Sequence, residues 1–256
     1  MKMRIITKIM YVEILVPIAL FSAAALQAAG GMGFGLVASP LLVTLLGSIA
    51  GIQAAIILNL IVAAILWVLG HKEIKYQLLI PMIPGLVVGM LIGVLTVIVM
   101  PQWLLKMALC IALGWVCFAP IAADQPRKKT LHKFSFTAGI MGGALAIPGP
   151  AAAAYLQSVT SKAHTVRSSM MPLLVFVYLG IGIGLFIING IDNVAITAAK
   201  NATLIVVLGL LVGFLASNYL SNDTLKRLAK VIMVSTLICL IATTTSDMVN
   251  IGFSTA

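Results

Sequence analysis

The chain has 256 residues, of which 62% are hydrophobic and 9% charged, and its formal net charge is +10. That composition excludes an ordinary soluble domain. It does not suit nucleic acid either, because the basic residues lie scattered in short loops at the ends of apolar stretches. They form no basic helix and no aromatic-interleaved patch. Several stretches reach the roughly 20 residues needed to cross a hydrocarbon core. The expected fold is therefore an all-α polytopic membrane protein, with no extramembrane stretch long enough for a core of its own.

In chain order, about eight hydrophobic segments are expected, at 12–46, 50–70, 77–99, 103–121, 134–156, 168–189, 194–218 and 227–248. Lys2, Arg4 and Lys8 before an apolar run look like a secretory leader, and Ser22–Ala28 mimics a cleavage site. The apolar run continues through Gly30 to Leu46, however, so this segment is expected to stay.

The first segment is interrupted by Gly-Gly-Met-Gly-Phe-Gly-Leu-Val-Ala-Ser-Pro over residues 30–40. Its glycines and proline cost a helix several kcal/mol in propensity. A second interruption runs from Gly142 to Pro150, placing Pro40 and Pro150 110 residues apart. Paired breaks in two halves of a membrane protein point to a transport site. As one helix, 12–46 would extend about 52 Å, too long for a ~30 Å core. The first segment of each half is thus expected to be broken or hairpin-like. Parallel and inverted repeats both remain open, since the Lys and Arg distribution does not decide between them.

The halves align at an offset of 110 around the breaks and of 120 later. In the second register Gly89 and Gly93 fall on Gly209 and Gly213, and Leu105-Lys106 on Leu225-Lys226. In the first, Asn59 falls on Ser169. An internal duplication follows, with residues 1–123 and 124–256 as the two transmembrane repeats and a basic linker at 122–133. Arg127, Lys128, Lys129 and Lys133 in that linker mark a cytoplasmic loop.

Small-xxx-small spacings elsewhere read as helix packing. At the breaks, a helix restarting at Leu41 or Ala151 would leave its first N–H groups unpaired and partly positive. Such an end is an anion site, and two brought together would form a mostly uncharged anion cradle. A structural kink relieved by neighbouring helices is the plainer alternative. The candidate substrate-binding residues are Gln27, Gly31, Gly33, Gly35, Pro40, Asn59, Gly142, Gly143, Pro148, Gly149, Pro150, Arg167 and Ser169. Arg167 could snorkel to the interface or point inward to neutralise an anion. Gln27, Asn59 and Asn201, deep in spans, could be interhelical glue or ligands to a substrate oxygen.

The six acidic residues all fall in loops or near span ends, so no mid-membrane carboxylate is expected as a proton relay. The three histidines and three cysteines lack metal or disulfide spacing. No nucleophile, base and orienter can be assembled, and no nucleotide-binding signature appears. The reading is of a protein that is not an enzyme, with no cofactor and no metal.

The run from Gln27 through Gly31, Gly33, Gly35 and Pro40 to Leu42 resembles the first signature of the TauE/SafE family of membrane transporters. The likeness extends from about 12 to 248, through the basic linker and a Gly-rich, Pro-terminated start of the second half. There the family's Gly-Gly-Pro-Pro is altered to Ala146-Ile147-Pro148-Gly149-Pro150, and Arg167 is similar to an arginine that commonly follows. The resemblance implies a duplicated four-helix unit and movement of sulfite, organosulfonates or related small anions. It also implies a multi-pass location in a plasma membrane, with a prokaryotic inner membrane as the family's default. Export or facilitated diffusion is expected. The alternatives are a carrier for another small organic anion such as a carboxylate, or a non-transporting membrane scaffold subunit. The expected partners are the anion and the lipid bilayer, with a homodimer left open.

Overall fold

A computed structural model describes residues 14–31, 33–70, 74–118, 128–160, 162–217, 219 and 222–254. Among these the chain forms ten helices and no strand. They are α1 (Val16–Gly30), α2 (Phe34–Leu46), α3 (Ser48–Gly70), α4 (Tyr76–Val99), α5 (Gln102–Phe118), α6 (Lys128–Leu145), α7 (Gly149–Val159), α8 (Ala163–Asn189), α9 (Asn193–Ala216) and α10 (Asn222–Ser254). A 3-10 turn at Ile80–Met82 interrupts α4. Five of the helices, α3, α4, α8, α9 and α10, contain stretches long and apolar enough to cross a bilayer. The eight expected segments become ten helices because 12–46 and 134–156 each split in two. Residues 122–127 of the basic linker lie outside the described residues, as does the leader-like stretch before residue 14.

Close contacts fix how the central helices run. Gly51 packs on Val43 and Gly35 on Asn59, so α2 and α3 run antiparallel. Gln53 Nε2 donates to the Gly190 carbonyl at 2.8 Å, and its Oε1 accepts from Asp192 N–H at 3.0 Å. Gly70, at the other end of α3, lies beside Ser168. Hence α8 runs opposite to α3. The contacts Gly85–Ser135, Gly89–Gly139 and Gly93–Gly143 advance together, so α4 and α6 run parallel. Gly209 on Phe21 and Gly213 on Ala25 make α9 parallel to α1 in the same way.

From these directions, α1 and α2 form a hairpin that enters from the side of Gly47 and Gly190. Helices α6 and α7 form a second hairpin entering from the side of Lys75 and Lys162. Each hairpin returns to the face it came from, so three further helices remain in each half and the two halves are inverted. The Gly89/Gly93 pair of α4 seats the second hairpin, and the Gly209/Gly213 pair of α9 seats the first. Without hydrophobic drive between helices in lipid, such backbone-to-backbone approach supplies the contact. Outward-facing Leu204, Leu208, Leu211 and Leu215 on α9 form an apolar stripe at helical spacing, as a lipid-facing surface requires.

The breaks fall earlier than expected. Helices restart at Phe34 and Gly149, not at Leu41 and Ala151, and Pro40 stands inside α2. Left-handed backbone, not proline, ends the first helix of each hairpin. Gly31 (φ 83°) and Gly33 (φ 137°) provide it in one hairpin and Ala146 (φ 56°) in the other. Proline is tolerated in a first turn, where Pro150 sits. Within α2, Pro40 merely frees the Leu36 carbonyl from its helical partner. Helix ends also reset the register. Gly30 with Leu145, Phe34 with Gly149 and Ser48 with Ala163 stand at one constant spacing. That spacing pairs Gly31 with Ala146 and Gly35 with Pro150, rather than Pro40 with Pro150 or Asn59 with Ser169.

Candidate functional site: crossed hairpin tips around a small cavity

The two hairpin tips meet in the middle of the bundle. Ser39 Oγ, on α2, donates to the Ala146 carbonyl at the tip of the second hairpin, 3.2 Å away. Both residues are fully buried. A cavity lies between the tips, lined by Gln27, Gly33, Gly35 and Leu36 of the first hairpin and Ile147, Gly149 and Pro150 of the second. Asn59, Val62 and Ala63 of α3 and Met170, Leu174 and Tyr178 of α8 complete it. Its volume of about 20 Å³ is room for a single water molecule. None of these lining residues is charged.

The termini that converge here are unequal. The C-terminal ends of α1 and α6 are satisfied internally. Gly31 N–H bonds the Gln27 carbonyl at 2.8 Å, Ala146 N–H bonds Gly142 at 2.8 Å and Ile147 N–H bonds Met141 at 3.1 Å. Arg167 Nη1 adds a bond to the Ala29 carbonyl at 2.7 Å, at the negative end of the α1 dipole. The N-terminal ends of α2 and α7 keep their first amides, which have no intrahelical acceptor. Gln27 takes one of them: its Oε1 accepts from Phe34 N–H at 3.1 Å while its Nε2 donates to the Gly31 carbonyl at 3.1 Å. That leaves the amides of Gly35 and Leu36 from α2, and of Gly149 and Ala151 from α7. Pro150 has none to give. Both helix N-termini therefore direct partial positive charge at the cavity.

Two polar side chains also face it. Asn59 Nδ2 is tied to the Ala55 carbonyl at 2.8 Å, which turns Oδ1 inward. The Tyr178 hydroxyl belongs to a side chain only 3% exposed. Asn59 Oδ1, the Ala146 carbonyl oxygen and the Tyr178 hydroxyl stand 3.0, 3.2 and 3.2 Å from where a Cβ on Gly35 would sit. Gly35 is thus held bare so that three oxygens can close on the backbone of α2.

Of the thirteen expected contacts, Gln27, Gly33, Gly35, Asn59, Gly149 and Pro150 line the cavity. The others do different work. Gly31 and Pro148 shape the tips, and Pro40 lies one turn beyond, inside α2. Gly142 packs on Val177 and Ile181 of α8, and Gly143 on Gly93 of α4. Ser169 Oγ accepts from Lys75 N–H at 3.0 Å and caps the start of α4. Arg167 stands half-buried outside the lining, its stem against Gly31: a Cβ there would lie 2.7 Å from Arg167 Cγ. Asn201 faces outward. Lys106 is buried within α5 and has a partner of its own.

Tyr178 is the cavity-lining polar residue that sequence reasoning passed over. Tyrosine in membrane spans collects at the interfaces, whereas Tyr178 sits midway along α8, and that position was a usable signal. The constant spacing of the hairpins pairs it with Ala63 and pairs Asn59 with Leu174, so inverted repeats supply a polar group from each half at different levels.

An inverted, all-α bundle with two re-entrant hairpins meeting at a central cavity defines a polytopic membrane protein of the transporter class. A profile of the family described as sulfite exporter TauE/SafE matches residues 16–240, and the chain belongs to that family of membrane transporters. No curated protein and no solved structure matches the chain.

Proposed function

We propose that this protein moves small sulfur oxyanions, sulfite or a small sulfonate, across a prokaryotic plasma membrane by export or facilitated diffusion. The observation carrying this reading is the meeting of two helix N-termini at one cavity with no charged lining residue. The amides of Gly35, Leu36, Gly149 and Ala151 then hold the anion by oriented backbone dipoles, as helix N-termini do for oxyanions generally. The family's description as a sulfite exporter supports the sulfur class.

At about 20 Å³ the cavity is tight for a four-atom oxyanion and would widen as the anion passes. Transport requires one hairpin to withdraw, and the left-handed residues Gly31, Gly33 and Ala146 are where each tip can flex. In the proposed orientation Lys75, Lys133, Lys162, Arg227 and Lys230 face the cytoplasm, following the excess of cations on that side. Arg167 lies on the same side of the cavity and draws anions towards the tip of the first hairpin. With no lining carboxylate to carry a proton, the potential drives the flux, at about 2.3 kcal/mol per charge per 100 mV.

The test uses the purified protein in liposomes with an imposed potential. Sulfite flux should follow the potential and be absent from protein-free vesicles. Flux that ignores the potential and follows only a pH gradient would refute the mechanism. Flux of a small carboxylate with none of sulfite would assign the other cargo, and no flux of either would favour a scaffold.

A further inference from the structure

The polar groups around the cavity are a mixture, and the mixture is informative. The backbone amides only donate. Asn59 Oδ1 only accepts, because the bond from Nδ2 to the Ala55 carbonyl fixes which way the amide faces. The Ala146 carbonyl already accepts from Ser39 and has a second lone pair beside Gly35. The Tyr178 hydroxyl does either. An oxyanion stripped of all protons offers acceptors alone, so two of its oxygens would be forced against Asn59 Oδ1 and the Ala146 carbonyl. Leaving such buried groups facing one another unpaired discriminates strongly against a ligand.

Charge argues the same way. Tyr178 of α8 is the single titratable side chain among the described residues lining the cavity. The lining from α1, α2, α3, α6, α7 and the tips adds none. Arg167 is the nearest charged group placed by these contacts, and it is engaged with the Ala29 carbonyl. The cost of removing an ion from water grows as the square of its charge, so a dianion meets about four times the penalty of a monoanion here. Helix ends worth about half a charge each can offset one negative charge but not two.

We infer that the cavity takes its cargo as a singly charged oxyanion that still carries a proton, its O–H donated to Asn59 Oδ1 and its other oxygens set on the amides of Gly35, Leu36, Gly149 and Ala151. For sulfite this is the hydrogensulfite form. The inference rests on the anion-carrier reading above. It also predicts that Tyr178→Phe, which removes the adaptable hydroxyl, lowers hydrogensulfite flux by about tenfold at an unchanged pH profile.

Flux through the full-length protein in liposomes tests it. Total sulfite is held fixed at a constant potential and the pH of both sides is varied together. Isethionate, a sulfonate monoanion that keeps an alcohol O–H donor and does not titrate across the range, is the control. Sulfite flux should fall by about tenfold per pH unit once the second proton leaves, while isethionate flux stays level. Sulfite flux that holds steady or rises as the dianion accumulates would overturn the inference. So would a parallel fall of both anions, which would place the titration on the protein. Loss of all sulfite flux at every pH would overturn the carrier reading and the inference with it.

Discussion

Gln27 holds two strands of a tip together with one amide, and its removal leaves both ends unpaired. Gln27→Leu strands the Phe34 N–H and the Gly31 carbonyl in a buried site. An unsatisfied buried group costs about 1–3 kcal/mol, so the variant should lose several degrees of melting temperature in detergent. Ala146 offers the opposite test. It adopts a φ of 56° where its counterpart in the first hairpin is glycine. Left-handed backbone costs a residue with a Cβ about 1–2 kcal/mol, and glycine gives back part of that gain in unfolded entropy. Ala146→Gly should stabilise the protein by about 0.5–1 kcal/mol, read as a raised midpoint of thermal unfolding. At this scale the sequence was partly legible. Gln27, Gly35 and Asn59 stood out because polar or bare positions are rare in apolar spans. Tyr178 did not, because a phenol inside an apolar run passes for packing until its hydroxyl is seen beside Gly35 at a cavity.

Helices here are placed by glycines that act on backbones, and the closeness of approach separates structural glycines from idle ones. A methyl on Gly213 would run into the Ala25 carbonyl, and one on Gly89 into that of Phe136. Gly114 has nothing within 4 Å of its would-be Cβ. Forcing two backbones apart costs about 1–3 kcal/mol or more. Gly213→Ala should therefore melt markedly lower than the parent protein, while Gly114→Ala melts at or above it, the added helix propensity being favourable. The helices themselves were readable from hydropathy to within a few residues. The position of the breaks was not, because proline draws the eye as a breaker. Pro40 and Pro150 both sit inside helices, and the residues that turn the chain are Gly31, Gly33 and Ala146. Ala146 carries no sequence mark of a left-handed turn at all.

For the molecule as a whole, repeat polarity is the property that hydropathy could not supply. A hairpin and a crossing present the same apolar length when the break lies near the middle, and only packing partners tell them apart. The corners that follow the two hairpins, at Ser48 and Lys162, occupy equivalent places in the two halves. Inverted repeats put them on opposite faces, and parallel repeats would put them on one. Ser48→Cys and Lys162→Cys, each made in a background without Cys110, Cys117 and Cys239, should label from opposite sides with a membrane-impermeant maleimide. Labelling of both from the same side would refute the inverted arrangement.

The central claim is that anions pass between the two tips, and Gly35 stands where a single methyl group tests it. A Cβ there would meet Asn59 Oδ1, the Ala146 carbonyl and the Tyr178 hydroxyl at 3.0–3.2 Å, close enough to obstruct the cavity without a backbone collision as close as that at Gly213. The measurement is sulfite flux in liposomes by Gly35→Ala beside Gly114→Ala, each first shown to be folded. The account predicts that Gly114→Ala carries sulfite like the parent protein and that Gly35→Ala carries it at least about tenfold more slowly. Equal flux through both variants would contradict it.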